Sequence, residues 1–502
     1  MTTSSVTPNP TLYPPRWQPA LLRWHHTRVS WWQSWQIAAQ VVPRWRNRSV
    51  ADFYGSGLPG QDDIMVARMP FRRYVAVRSP ELARHVLVTN QANYTKSAEY
   101  DMLAVGFGHG LVTELNEQRW QRNRRLVQPV FGKRNIATLA GPITDAARDS
   151  ADRILRLGAD GASVDVNAEM SRFTLDIVVR TMFGVDLTGP MSQIRFSRLL
   201  SLFGFGFVVA PVRRLRALAE LTDRHDLPMR VMRAASWLIA PRTVADLRHV
   251  ERVIDQLIAD HRSGAITHRD NLLALLMAAC DPETGHRYTD AEIHDELMTF
   301  IGAGMETTAT ALTWTWKLLA EHPDVRARLH TELDDVLAGR TPTADDVDLL
   351  PWTKAVFAET MRLYPPVVGL ARVAKDDDLL GDFPIQAGTT IALSLHALHH
   401  HDGVWPNPEV YDPTRYLTEN LTPTQRHASV PFGAGKRMCV AHVFANTEAV
   451  LALATIAQRL ELDLATTKPI RPQFSFTGGP DGPLPMHASA RVVDPDRETL
   501  RN

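Results

Sequence analysis

One cysteine lies in a segment whose other residues suit a thiolate that does chemistry. Cys439 lies in PFGAGKRMCVA, residues 431–441, and the chain contains only one other cysteine, Cys280. A reactive thiolate must be shielded from water and oxidants, which suits an aromatic neighbour such as Phe432. Gly435 allows the backbone to turn so that its N–H groups face the sulfur. The alternative is an inert, buried cysteine in a glycine-containing turn.

A second group of reactive side chains lies in FIGAGMETTATALTWTW, residues 300–316. Glu306 can act as a general acid, and the hydroxyl of Thr307 beside it can hydrogen-bond a reacting group. Glycine and threonine are poor helix formers in an interior position. A helix that keeps them at its centre is therefore a place to expect function. The alternative is a helix whose two glycines serve close packing.

Two further patterns pair side chains at helical spacing. Glu359 and Arg362, in ETMR, are three residues apart and so share one helix face. Trp120 and Arg124 are four residues apart, which places them about 40° apart on a helical wheel. Either pattern alone is common on ordinary helices, so its meaning depends on the other segments.

Taken in order along the chain, these segments resemble the cytochromes P450. The haem-binding loop of that family, F-x-x-G-x-R-x-C-x-G, is matched at Phe432, Gly435, Arg437 and Cys439. The pattern is broken at Ala441, where the family usually has glycine, so we expect the following helix to be displaced slightly. AGMETT, residues 303–308, resembles the oxygen-activation motif, and ETMR followed by LYPP resembles the E-x-x-R segment. The resemblance extends over roughly residues 60–495.

The resemblance implies a role for each matched residue around a haem b cofactor. Cys439 is expected to be the axial ligand of the iron, where a thiolate donates electron density and favours O–O cleavage. Thr307 is expected to hydrogen-bond the oxygen under activation, and Glu306 to relay protons to it. The other expected haem contacts are Trp120, Arg124, Ala303, Arg372, Phe432, Gly435 and Arg437. A buried ion-pair triad with a structural role is expected from Glu359, Arg362 and Arg415.

The elements that must position these residues are mostly helical. Thr289 and Glu292 form a capping box, and Pro323 interrupts the helical pattern, so the sequence predicts one long helix that carries Glu306. Short alternating segments such as residues 74–77 predict strands. The fold class is therefore mainly α with small β-sheets, and the resemblance implies the cytochrome P450 fold. Residues 56–502 are expected to form a single catalytic domain.

An N-terminal segment rich in Trp and Arg, residues 1–55, is not explained by the resemblance. We expect it to pack on or beside the body, with peripheral membrane contact as the alternative. The chain has 55 Lys plus Arg against 55 Asp plus Glu, which disfavours binding to nucleic acid. It shows no signal peptide and no apolar run of about 20 residues that could span a bilayer. The expected location is cytoplasmic.

The activity implied by the resemblance is a haem-thiolate monooxygenase that inserts one atom of O₂ into an apolar substrate. Hydroxylation or epoxidation of a terpenoid, polyketide or fatty acid is expected. The alternatives are oxidative coupling, peroxygenation or haem binding without catalysis. In this family the substrate contacts come from segments that here supply Met102, Leu103, Phe203, Phe205, Val367, Val368, Leu370 and Phe476.

Electrons are expected from a separate ferredoxin with its own ferredoxin reductase. Only about 60 residues follow Cys439, fewer than the roughly 100 that a flavin or iron–sulfur domain needs. Two cysteines are too few to hold an iron–sulfur cluster. A basic patch for an acidic partner is expected from Arg122 and Arg125 on the helix of Trp120, extended by Lys133, Arg134 and Lys436. The alternative is a set of ordinary solvated charges.

Overall fold

The structure is a computed structural model that describes residues 63–69, 72–97, 100–184, 241–266, 271–417, 420–474 and 477–491. The α-helices of these residues are α1 (Pro80–Arg84), α2 (Tyr100–Phe107), α3 (Glu117–Val127), α4 (Lys133–Leu157), α5 (Val166–Phe183), α6 (Pro241–Ser263), α7 (Leu272–Ala278), α8 (Asp290–Glu321), α9 (Pro323–Leu337), α10 (Pro351–Leu363), α11 (Leu395–His399), α12 (Pro423–Ala428) and α13 (His442–Ala457). The prediction of a mainly α fold with small sheets is confirmed.

The strands of the described residues are short and belong to four sheets. They are β1 (Ile64–Met69), β2 (Arg72–Val77), β3 (Tyr94–Lys96), β4 (Ser163–Asp165), β5 (Gly369–Ala374), β6 (Asp378–Leu380), β7 (Phe383–Ile385), β8 (Thr390–Ser394), β9 (Leu460–Leu464), β10 (Pro472–Phe474), β11 (Gly478–Pro480) and β12 (Pro485–Ala490). The largest sheet has the order β1-β2-β8-β5-β3, in which β2 and β8 are parallel and the other neighbours antiparallel. This sheet places Lys96 opposite Arg372.

The long helix predicted from the capping box is α8. Thr289 Oγ1 accepts a hydrogen bond from the backbone N–H of Glu292, and the Glu292 carboxylate accepts one from the backbone N–H of Thr289. Both halves of the capping box are therefore present. The helix runs for 32 residues and is buried over most of its length from Ile293 to Leu319. It packs most extensively against α5 and also contacts α2, α10 and α13. A helix buried on several sides fixes the position of any group that it carries.

Aromatic rings join α8 to the start of α13, where the Cys439 loop ends. Phe131 packs edge-on against Phe300 of α8 at 5.3 Å between centroids, and against Phe444 of α13 at 6.1 Å. All three rings are buried. Edge-to-face aromatic pairs stabilise such contacts beyond their area burial. The separation of α8 from the cysteine loop is therefore set by this side-chain packing.

Some of the sequence predictions fall on residues that the structure does not describe. The N-terminal segment 1–55 and the pocket candidates Phe203, Phe205 and Phe476 lie outside the described residues. Met102 belongs to α2, but its side chain lies outside the description as well. Within the described ranges, none of the helices combines the length and the apolar character that crossing a bilayer requires.

Candidate active site

The loop that carries Cys439 is held closed by backbone contacts. The backbone N–H of Cys439 donates to the carbonyl of Phe432 at 2.9 Å. Gly435 has φ +69°, and a Cβ at this position would lie 1.8 Å from the carbonyl oxygen of Leu87. The next N–H, of Lys436, donates to Gln91 Oε1 at 2.7 Å. Only glycine fits both this left-handed conformation and this approach.

The thiol of Cys439 lies in the interior, where its charged form is unfavourable. Burial raises its pKa, while a backbone hydrogen bond from Ala441 and the charge of Arg124 act in the opposite direction. Arg124 Nη1 also donates to the Met438 carbonyl at 2.7 Å and so braces the loop from α3. Residues 431–443 are all half-buried. A thiolate at this place needs a further positive partner, and a bound metal ion would supply it.

Three cations meet in the interior beside this loop. Lys96 on β3 is paired in register with Arg372 on β5, and the charges of Arg437 and Arg372 reach the Lys96 ammonium. Burial, followed by these two arginines, lowers the pKa of Lys96. Like charges directly opposite each other destabilise a sheet. The arrangement therefore favours a bound anion.

The guanidinium of Arg437 lies between an aromatic ring and a carboxylate. Its Cζ is 4.1 Å from the centroid of the Trp120 ring, and its Nη2 donates to Glu117 Oε2 at 2.5 Å. Its Nε and Nη1 are buried and have no hydrogen-bond partner among the described residues. Two buried N–H groups without acceptors are costly, so they mark the place where an anionic ligand binds. Lys96 was missed at the sequence level, because only strand pairing brings it to Arg372.

The centre of α8 presents its reactive residues on a partly accessible face. Ala303, Gly304, Glu306 and Thr307 are half-buried, whereas most of the helix around them is buried. Thr307 Oγ1 donates to the Ala303 carbonyl at 2.7 Å. Because its proton is directed to this carbonyl, the hydroxyl oxygen can accept a hydrogen bond from a group at that face.

One of the two glycines of this helix serves close packing. A Cβ on Gly302 would lie 1.8 Å from Phe107 Cε1 of α2, so the ring lies directly against the helix backbone. Gly304 is less confined, since its Cβ would lie 3.6 Å from Val178 Cγ2. The packing interpretation is therefore correct for Gly302, and it coexists with the reactive pair beside it.

The carboxyl group of Glu306 is held by a residue from a distant part of the chain. Thr477 Oγ1 donates to Glu306 Oε1 at 3.2 Å. Burial raises the pKa of Glu306, and the hydrogen bond from Thr477 acts in the opposite direction. A carboxyl group whose pKa is raised towards neutrality can both hold and release a proton. Thr477 carried no sequence signal, because its role depends on contact with α8.

Glu359, Arg362 and Arg415 lie together behind the cysteine loop. Arg362 makes two bonds of 2.8 Å to the carboxylate of Glu359, and Arg415 Nε lies 3.4 Å from the same carboxylate. Arg362 Nη1 also donates to the His399 carbonyl at 2.9 Å. The ring of His399 accepts the N–H of Val430, one residue before the loop. The ion pairs thus fix the segment from which the loop begins.

The pocket candidates within the described residues differ in their surroundings. Val368 is 2% exposed and belongs to the core, whereas Leu103, Val367 and Leu370 are half-buried. Leu370 lies beside the cysteine loop, because a Cβ added to Gly433 would be 3.4 Å from Leu370 Cδ1. Among these candidates, Leu370 is therefore placed beside the loop by its contacts.

The expected basic patch needs correction at Arg122 and Arg125. Arg122 Nη2 lies 2.6 Å from Glu292, and Arg125 binds Asp281 at 2.7 Å and Glu283 at 3.1 Å. Acidic residues around the start of α8 neutralise both arginines. Such pairs could not be foreseen, because the carboxylates are about 150 residues away in sequence.

Lys436 is also paired, to Glu117 at 2.7 Å. The remaining cations of the predicted patch, Lys133 and Arg134, are exposed at the start of α4.

A haem-thiolate oxygenase requires a loop that presents a thiol, an acid–alcohol pair on a neighbouring helix, and a buried cluster of cations. All three features are present here. The sequence model of the family described as Cytochrome P450 matches residues 60–482, and the chain belongs to this family. It is therefore a P450 monooxygenase, an enzyme class that uses a haem cofactor, O₂ and a redox partner.

Relatives and solved structures agree with this assignment. Cyclooctatin synthase of Streptomyces melanosporofaciens is 33% identical over 92% of this chain and 96% of its own length. Pentalenene oxygenase of Streptomyces avermitilis is 32% identical over 89% of this chain and 91% of its own length. The crystal structure of the cytochrome P450DA haem domain matches with a TM-score of 0.74 at 26% identity, over 88% of this chain and 92% of that one.

The residues present fit a haem. The unpartnered N–H groups of Arg437, together with Lys96 and Arg372, suit the two propionates. Cys439 would supply the thiolate, with the Ala441 backbone N–H directed at its sulfur. Arg437 and Cys439 belong to the same loop, two residues apart, whereas Lys96 and Arg372 reach this region from β3 and β5.

We predict that Gly435→Ala prevents stable haem binding, since the new Cβ would collide with the Leu87 carbonyl. Gly433→Ala is the matched control, because its φ of +70° is similar but its Cβ would lie 3.4 Å from the nearest atom. The control should cost only about 1–2 kcal/mol of conformational strain. Haem content per chain and the free energy of unfolding check this. Equal haem content in the two variants would contradict the role of the Leu87 contact.

Proposed function

We propose that this P450 monooxygenase hydroxylates or epoxidises a terpenoid. The observation that carries the proposal is the similarity to a cyclooctat-9-en-7-ol 5-monooxygenase of Streptomyces melanosporofaciens, 33% identical over 81% of this chain, and to pentalenene oxygenase. Both names state a terpenoid substrate. The half-buried apolar residue Leu370, which lies beside the loop, suits such a substrate. A polyketide or fatty acid, oxidative coupling and peroxygenation remain alternatives.

Spectral titration tests the substrate class directly. We expect polycyclic terpene hydrocarbons and alcohols to displace the sixth ligand of the ferric haem and to give oxygenated products. Straight-chain fatty acids with equal carbon number are the matched comparison, since they bury similar apolar area in a different shape. Tighter binding and faster turnover of the fatty acids would contradict the terpenoid assignment.

Each residue of the site has its own role around haem b. When bound, the haem supplies reductive activation of O₂. Cys439 would hold the iron, and Lys96, Arg372 and Arg437 would hold the propionates. Burial raises the pKa of Glu306, which favours its protonated form and suits a residue that relays protons. Thr307 accepts a hydrogen bond from a protonated group at the face of α8, because its own proton is directed to Ala303.

The ligand assignment is tested by a pair of cysteine variants. Cys439→Ser should abolish the absorption band of the thiolate-ligated, reduced carbon monoxide complex, because the hydroxyl does not ionise to a comparable ligand. Cys280→Ser should leave this band intact, since Cys280 is exposed and its sulfur donates to the Gly285 carbonyl at 3.6 Å, away from the cysteine loop. Loss of the band in Cys280→Ser with retention in Cys439→Ser would overturn the assignment.

The acid–alcohol pair is tested by measuring how much of the NADPH consumed leads to product and how much to peroxide. Glu306→Gln should slow turnover roughly 100-fold, the lower range for a lost general acid. Thr307→Ala should still bind haem and substrate but release more peroxide per NADPH consumed. Glu321→Gln, at the exposed end of the same helix, is the control. Unchanged coupling in both site variants would favour a purely structural role.

We also infer that electrons come from a separate ferredoxin and its reductase. With two cysteines, the chain cannot ligate an iron–sulfur cluster of its own. Lys133 and Arg134 are exposed, and nearby Phe131 packs against Phe444 at the end of the cysteine loop. An acidic partner bound there would lie near the thiolate side of the haem. Its association would weaken as salt rises.

The expected cytoplasmic location and the single domain 56–502 remain predictions.

A further inference from the structure

Two residues on one face of α8 are hydrogen-bonded to a distant turn at residues 477–479, and a third lies between them along the helix. Thr477 Oγ1 donates to Glu306 Oε1 at 3.2 Å, and Trp314 Nε1 donates to the Gly478 carbonyl at 2.7 Å. Between them, a Cβ on Gly479 would lie 3.7 Å from the Thr310 hydroxyl oxygen. Residues 306, 310 and 314 are spaced by four, so they form one stripe along the helix.

The other side of this turn is fixed as well. The backbone N–H of Gly478 donates to the Pro366 carbonyl at 2.9 Å, which ties the turn to the segment that leads into β5. Thr477 is 2% exposed, and β11, which begins at Gly478, pairs with β10. A residue held at this many points has little freedom to follow a moving side chain. Its hydroxyl is therefore a fixed donor.

Glu306 itself has few restraints. Its side chain has three rotatable bonds, and among the described residues its Oε2 receives no hydrogen bond while Oε1 receives the one from Thr477. With Oε1 occupied, a proton on the carboxyl group resides on Oε2. The hydroxyl thus decides both where the carboxyl group points and which oxygen carries the proton.

We propose that Thr477 is the positioning residue of Glu306, directing Oε2 as the oxygen that takes up and delivers protons during turnover. This rests on the proposed role of Glu306 as the proton-relay acid. The hydroxyl of Thr477 neither gains nor loses a proton in the step. It keeps the acid in one orientation, which matters because proton transfer requires donor and acceptor within hydrogen-bond reach.

The test compares Thr477→Val, which keeps the shape and removes the hydroxyl, with Thr477→Ser, which keeps the hydroxyl. In Thr477→Val we expect kcat for product to fall roughly 10-fold, part of the ~100-fold or more that a general acid contributes. Peroxide per NADPH should rise and KM should stay unchanged. Thr477→Ser should restore both. A merely structural role would move haem content or KM instead.

Infrared difference spectra of the ferric enzyme give a readout independent of turnover. The carboxyl band of Glu306 is identified by its loss in Glu306→Gln. A hydrogen bond to the carbonyl oxygen lowers its stretching frequency, so the band should rise in Thr477→Val and return in Thr477→Ser. Thr315→Val is the matched control, because it removes a buried hydroxyl of α8 whose hydrogen bond among the described residues is to the Ala311 carbonyl of its own helix.

The outcomes separate the two proposals. If Glu306→Gln leaves turnover and peroxide release unchanged, the role of Glu306 fails, and the infrared band alone then decides whether Thr477 orients it. If Glu306→Gln is slow but Thr477→Val behaves like Thr315→Val in both measurements, the inference about Thr477 is overturned. In the Glu306→Gln background, Thr477→Val should have no further effect on kcat, and an added loss would also contradict it.

Discussion

The burial of three cations beside the cysteine loop is the constraint on which the site depends. Lys96 and Arg372 face each other across two strands, and Arg437 brings its guanidinium to them from the loop. Carbonyl groups, the ring of Trp120 and the carboxylate of Glu117 satisfy part of this charge. The part left over favours an anionic ligand. A haem bound here through its propionates would join a sheet, a helix and a loop, so we expect haem binding to stabilise the packing of this region.

The long helix α8 reconciles two opposing requirements. A long, buried helix needs close packing, and Gly302 allows it because the ring of Phe107 can lie against the helix backbone there. The chemistry needs polar groups in the same stretch, and these are tolerated because each finds a partner. Thr307 bonds its own helix, and Glu306 bonds Thr477. Buried polar groups without such partners would destabilise the interior, so the reactive residues are placed at little cost in stability.

Ion pairs across the chain decide which surface charges remain available to a partner. The sequence pattern predicts Arg122 and Arg125 as free cations on a helix, yet both are neutralised, Arg122 by Glu292 in the first turn of α8 and Arg125 by Asp281 before it. Lys133 and Arg134 lie at the exposed start of α4 and form no ion pair with the residues that the structure describes. The charge that a redox partner would meet is therefore a property of the folded surface and differs from the charge of any one helix.

The sequence alone determined the features that depend on neighbouring residues. The capping box and the helical spacing of Glu359 and Arg362 act within a turn or two, so local patterns reveal them. Tertiary structure decided the features that join distant segments, such as Lys96 opposite Arg372 and Thr477 on Glu306. Hydrogen bonds and charges act over a few ångströms of space, whereas these partners are separated by 171 to 276 residues of chain. Only the packing of sheet and helices brings them within that distance.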